Sequence, residues 1–264
     1  MGWLDNEDNI VAKMREVIAL YNSWTLLTRN NFEKRIFNAV TKKWPKWTVN
    51  NSHSAEPPDY FSQSLKLMFD VMRINDSETM ITTKRGKTRP YNPILKKERE
   101  QIRELKKYFP NVAEENILVN VEPDGDYDKT HNYQNYYRHA QKVFSAHIGR
   151  IPRCRELHPG FKMGFLVMDE TESYLQHKYI WDAVTPYDTN KIYQVLSTPH
   201  IPFLDERFMR CLIASDLDFL IWFMPYKHNE KMAVQPPEVC FIDLKNKKTQ
   251  AYLRQYPEFL MRRM

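Results

Sequence analysis

The stretch EPPDYFSQSLKLMFDVMRI, residues 56–74, decides how the rest of this chain is read. Pro57 and Pro58 break the segment before them, because each ring fixes φ and lacks an N–H. From Leu65 to Ile74 the residues are mostly apolar and show no helical period, which predicts a buried strand. Strand side chains alternate, so Lys66, Met68, Asp70 and Met72 share one face and Leu67, Phe69, Val71 and Arg73 the other. A carboxylate at Asp70, in the middle of that strand, is costly to bury unless a cation or a hydrogen-bond donor meets it. Asp59, just after the proline pair, is placed to meet it across an adjacent strand.

Working outward, three more apolar runs read as strands: FKMGFLVM (161–168), DLDFLIWF (216–223) and EVCFIDL (238–244). Shorter strands are expected at Trp47–Val49 and Ile117–Val121. Residues 6–44 read as two helices. The first carries Ile10, Val11, Met14, Val17, Ile18 and Tyr21 at helical spacing, with Asp5 or Asn6 as its cap. The second carries Phe32, Ile36, Phe37 and Val40, is capped by Asn30 or Asn31, and ends at Pro45. Residues 92–108 read as an amphipathic surface helix, 131–148 as a tyrosine-rich helix, and Leu204–Ala214 as a short one. Thr79–Pro90 is a basic loop or hairpin. There is no internal repeat and no low-complexity linker. The expected fold is α/β (or α+β): one domain over residues 1–264, with an N-terminal helical segment at 1–45 and a mixed β-sheet flanked by helices.

Composition narrows the function. Of 264 residues, 42% are hydrophobic and 27% charged, and only six are glycine. This is enough apolar material for a sizeable core. Neither G-x-G-x-x-G nor G-x-x-x-x-G-K-[ST] occurs, which argues against dinucleotide-binding and P-loop chemistry. The formal charge of +6 suits a polyanionic partner only weakly. Three cysteines without C-x-x-C argue against a thiolate zinc site and for a reducing compartment. The N-terminal MGWLDNEDN has no signal-peptide pattern, and no apolar run is long enough to span a bilayer, so a cytoplasmic protein with no membrane partner is expected. Eight histidines include no H-E-x-x-H. His139 and His147 stand two turns apart on one expected helix, so a joint metal site is not expected there.

Two carboxylates converging on one point make an oxygen-ligand site suited to Mg²⁺ or Mn²⁺. Together, Glu33 on the second helix, Pro58-Asp59, and Asp70 on the next strand resemble, in order and approximate spacing, the PD-(D/E)XK nuclease superfamily. The resemblance covers about 50 residues. It implies a restriction-endonuclease-like core and metal-dependent hydrolysis of DNA or RNA, with Asp59, Asp70 and Glu33 as metal ligands. The pattern departs at its lysine, where Met72 stands. Lys84, further along the chain, is the expected replacement, as in the branch that includes viral cap-snatching endonucleases, with Arg73 or Lys87 as weaker choices.

A second candidate set is Asp218 with Asp243 and Lys245, which has the D-x-K spacing but also the composition of a solvated strand end. DETE (169–172) reads chiefly as a helix start with acids at its dipole end; the alternative is that Asp169 or Glu170 adds a ligand. Lys84, Arg85, Lys87 and Arg89 form a basic stretch without an acid and are the expected nucleic-acid contact. The competing class is a non-catalytic protein of the same architecture that binds nucleic acid, another protein or a second copy of itself.

Overall fold

Residues 67–74 form a strand in which every position but Arg73 is buried, and the remaining elements are arranged around it. The computed structural model describes residues 7–50, 57–75, 79–82, 88–91, 93–112, 133–171, 174–178, 196–226, 236–256 and 261–263. In chain order the elements are α1 (Glu7–Tyr21), β1 (Trp24–Leu26), α2 (Asn31–Val40), β2 (Thr48–Val49), β3 (Tyr60–Ser62), β4 (Leu67–Ile74), β5 (Thr79–Thr82) and β6 (Thr88–Tyr91). There follow α3 (Pro93–Tyr108), α4 (Tyr133–Ile148), α5 (Ile151–Leu157), β7 (Lys162–Asp169), β8 (Tyr174–Lys178) and β9 (Leu196–Pro199). The chain continues with α6 (Glu206–Ala214), β10 (Phe219–Phe223), β11 (Val239–Asp243), α7 (Lys247–Ala251) and β12 (Met261–Arg263).

Seven strands make one mixed sheet in the order β1-β11-β10-β7-β4-β3-β2. Its centre, β4, β7 and β10, is parallel, and the long apolar runs fall there because both faces are covered. One face packs Met68, Met72, Phe165 and Trp222 against Tyr136 and Phe144 of α4 and Phe208 of α6. The other packs Phe69, Val71, Leu166 and Phe241 against Ile10 and Met14 of α1 and Ile36 of α2. The fold is therefore α/β, with helices on both faces of a mixed sheet. β5 pairs with β6 as a hairpin, and β12, β8 and β9 make a separate three-stranded sheet.

Three local expectations are corrected. The N-terminal segment is not purely helical: Trp24–Leu26 runs parallel to β11 as the edge strand of the main sheet. The second helix stops at Val40, short of Pro45; past it the Lys42 and Lys43 N–H groups both donate to the Asn38 carbonyl, which breaks the regular ladder. Asn30 caps its start, accepting from the Glu33 N–H at 2.8 Å. No helix follows Asp169 directly; the next described element is the strand β8. The expected strand at 117–121 lies outside the described residues.

Gly164 shows how tightly the centre is packed. It stands in register with Phe69 on one side and Phe219 on the other. A Cβ there would lie 2.2 Å from the Phe219 ring. Gly164→Ala should lower unfolding free energy by about 1–3 kcal/mol in urea denaturation, since the ring is buried and has nowhere to yield. Unchanged stability would contradict this packing.

Candidate functional site

β3 and β4 are antiparallel with Tyr60 opposite Phe69 and Phe61 opposite Met68, so the next step along brings Asp59 opposite Asp70. The bonds between them are reciprocal. The Asp59 N–H donates to Asp70 Oδ1 at 3.2 Å, and the Val71 N–H donates to Asp59 Oδ2 at 2.6 Å. Asp70 is fully buried. Its Oδ2 receives no hydrogen bond, and neither does His147 Nδ1. The two atoms are 3.5 Å apart, an ion-pair distance. His147 is on the last turn of α4, where its ring lies edge-on to Phe165.

The surrounding charges are mostly acidic. Burial, and after it Asp70, push the Asp59 carboxyl up to about 7 against the pull of the Val71 N–H and Arg150. Glu7, in the first turn of α1, is held above the usual carboxylate range by partial burial and by Asp70 and Asp8, while His147 and Arg150 pull the other way. The Cys154 thiol on α5 is pushed up to about 12 by burial, Asp70 and Asp59, so it stays protonated at neutral pH. The Tyr60 hydroxyl donates to Asp8 and ties the start of α1 to β3. Four segments thus converge: the start of α1, the β3–β4 pair, the end of α4, and α5.

Glu7 and His147 were not singled out by sequence reasoning. An acid in a first helical turn reads as a dipole partner, and a histidine at the end of a helix has no local pattern that connects it to a strand far back in the chain. Glu33, by contrast, is corrected. It is fully buried, and its carboxylate accepts from the Thr28 N–H and hydroxyl and from the Asp243 N–H. Asp243 belongs to β11, which β10 and β7 separate from β4. Glu33 therefore braces the α2–β11 side and does not join Asp59 and Asp70.

Lys84, Arg85 and Lys87 lie outside the described residues, and of Arg89 only the strand backbone is described. Arg73 is paired with Glu170. Met72 is buried in the core.

The second candidate set does not assemble. Asp218 accepts from Lys162 Nζ at 2.8 Å, Arg155 Nη2 at 2.9 Å and the Met163 N–H at 2.9 Å. Burial alone would raise its carboxyl, but these donors hold it below the usual range. Asp243 lies opposite Phe219, so strand alternation turns it to the other face from Asp218. Lys245 Nζ donates to the Ser215 carbonyl rather than approaching Asp243. Asp218→Ala should accordingly cost about 1–3 kcal/mol of stability at pH 7, because Met163 N–H and two cations lose their acceptor. A depressed carboxyl stabilises above its unfolded pKa, so the difference from wild type should close as the pH falls below about 4. Asp169 is buried, accepting from Tyr136, Trp222 and Thr171. It holds β7 to α4 and β10 instead of capping a helix.

Among the described residues, no three His, Cys, Asp or Glu side chains are already gathered to hold one ion. Asp59 and Asp70 are the two acids that stand together on adjoining strands, and Asp70 Oδ2 has His147 Nδ1 as its ion-pair partner. No described helix is long and apolar enough to cross a membrane. Compared with family models, curated proteins and solved structures, the chain matches none of them. What the fold and the site define together is an α/β protein with paired carboxylates on adjoining strands of a mixed sheet.

Proposed function

We propose that the protein is a metal-dependent nuclease that hydrolyses phosphodiester bonds of DNA or RNA, with Mg²⁺ or Mn²⁺ held by Asp59 and Asp70. One observation carries the reading: the two acids stand opposite each other on β3 and β4, with Asp70 Oδ2 buried and unbonded. The order of Pro58-Asp59 and then an acid on the next strand is that of the PD-(D/E)XK pattern. Glu7, whose carboxyl is raised by burial and then by Asp70, is a further acid close to the pair. Such an ion, when bound, activates water and offsets charge developing on the phosphodiester. Asp70 supplies the fixed charge, and the β-sheet holds it in place without loop motion. The basic stretch Lys84–Arg89, which follows Asp70 in the sequence and carries no acid, suits contact with a phosphate backbone. The test is cleavage of single- and double-stranded DNA and RNA with Mn²⁺, with Mg²⁺ and with EDTA. Cleavage that EDTA abolishes is expected; cleavage indifferent to EDTA, or none on any substrate, would count against it.

A second reading rests on the reciprocal bonds themselves. Each acid accepts an N–H from the opposite strand, which is what a purely structural brace requires. With Met72 where the lysine belongs, a binding-only protein of the same architecture, directed at nucleic acid, another protein or a second copy, is the reading that remains if hydrolysis fails. Retained DNA or RNA binding without cleavage would select it.

A further inference from the structure

We infer that the outer face of α4 and the start of α5, carrying Arg138, Lys142 and Arg150, is the surface on which the protein holds a nucleic-acid phosphate backbone. This rests on the nucleic-acid partner proposed above, independently of hydrolysis, and adds the place of contact.

Between Asp128 and Glu156 the sequence holds no Asp or Glu, although a stretch of that length would carry about three at the chain's average of 33 in 264. α4 and α5 fill most of it, with Lys or Arg at 138, 142, 150, 153 and 155. The basic helix α3 differs: its Lys107 is paired with Glu104, one turn earlier, at 3.0 Å. α4 has no acid of its own three or four positions from Arg138 or Lys142 to offset them. Arg155 turns to Asp216 and Asp218 and lies off this surface.

Tyr136, Ala140 and Phe144 bury one face of α4 in the core. Arg138, Lys142, Ser145 and Gly149 recur at steps of three or four on the opposite face, and all four are exposed. Small residues beside the two cations leave room for a phosphate backbone to come close. The run from Arg138 to Gly149 is about 16 Å at 1.5 Å per residue, the length of about five phosphates along one strand of a B-form duplex. Arg150 extends the row. Its N–H donates to the His147 carbonyl at 3.0 Å, and its exposed side chain makes no cap bond to α5. His147 lies 3.5 Å from Asp70, so the row ends one turn from the carboxylate pair. Arg150 also draws the Asp59 and Glu7 carboxyls downward. A backbone laid along the row is led to Asp59 and Asp70.

The test is fluorescence anisotropy of a labelled mixed-sequence DNA duplex and a labelled RNA single strand, titrated with the full chain in EDTA so that binding is read without cleavage. Arg138→Gln/Lys142→Gln/Arg150→Gln is compared with Lys34→Gln/Lys42→Gln/Lys43→Gln. The second set removes the same charge from exposed positions on and just after α2, on the other face of the sheet. The first variant is expected to bind at least about tenfold more weakly at about 0.1 M salt, and to lower the slope of log Kd against log salt by about two to three. The second is expected to change affinity by less than about threefold. Each single substitution in the first set, expected to lower the slope by about one, keeps the test open if the triple variant unfolds. Equal losses in the two triple variants would overturn the inference in favour of net charge alone. Undiminished binding by the first would overturn this surface and leave the nucleic-acid partner standing. No binding of either probe by wild type, even if it sediments with phosphatidylserine vesicles, would overturn both.

Discussion

Asp70→Asn is expected to lower metal-dependent cleavage by at least about 10²-fold while leaving the fold intact, the size of loss seen when one fixed electrostatic group is removed from a reacting centre. The substitution keeps an oxygen where Oδ1 accepts the Asp59 N–H, so the β3–β4 pairing survives. It removes the one charge that the strand places in a fully buried position. Stability should hold or rise, because a buried carboxylate oxygen that accepts no hydrogen bond is replaced by a neutral amide. Loss of activity together with retained stability is the signature of a functional group held at a structural cost. A stable variant that still cleaves at the wild-type rate would remove Asp70 from the chemistry.

The second large effect is on pH dependence. The Asp59 carboxyl is pushed from 3.8 up to about 7 in the folded protein. An acid whose folded pKa is raised binds more protons folded than unfolded between those values, so stability falls as the pH rises through them. Below about pH 4 both states are protonated and there is no penalty; above about pH 7 the penalty is complete. Asp59→Asn carries no such titration and still offers an oxygen to the Val71 N–H. Its advantage over wild type should grow from nothing near pH 4 to on the order of 2 kcal/mol near pH 8, less than full conversion of the shift because Asp59 is partly open to water. Urea denaturation of both proteins at pH 4.5, 6 and 8 measures this. An advantage that shrinks with rising pH would contradict the placement of Asp59 beside Asp70.

The parts of the fold legible in the sequence are those whose cause is local. β4, β7, β10 and β11 were readable because strands covered on both faces are nearly continuous apolar runs. α1 and α2 were readable from their helical spacing. The pairing of Asp59 with Asp70 was accessible because β3 and β4 follow one another directly in the chain. By contrast, β1 has only three residues and pairs with β11 more than 200 positions away, so no window around Trp24 contains its partner.

The same distinction explains the third carboxylate. Glu33 follows Asn30 on a helix that precedes Pro58-Asp59, and order along the chain favoured it. Its own cap residue and the Asp243 N–H fix it on the far side of the sheet. Glu7 and His147 reach the aspartates only because α1 and α4 lie on opposite faces of β4, a juxtaposition that arises from packing and leaves no trace in local pattern.

The most direct measurement of the central claim is anomalous diffraction from crystals soaked in Mn²⁺. The account predicts one strong peak beside Asp70, within coordination distance of an Asp59 carboxylate oxygen, and absent from Asp70→Asn crystals. Crystals that show no ion there, with Asp59 and Asp70 still bonded only to each other's strands, would contradict it.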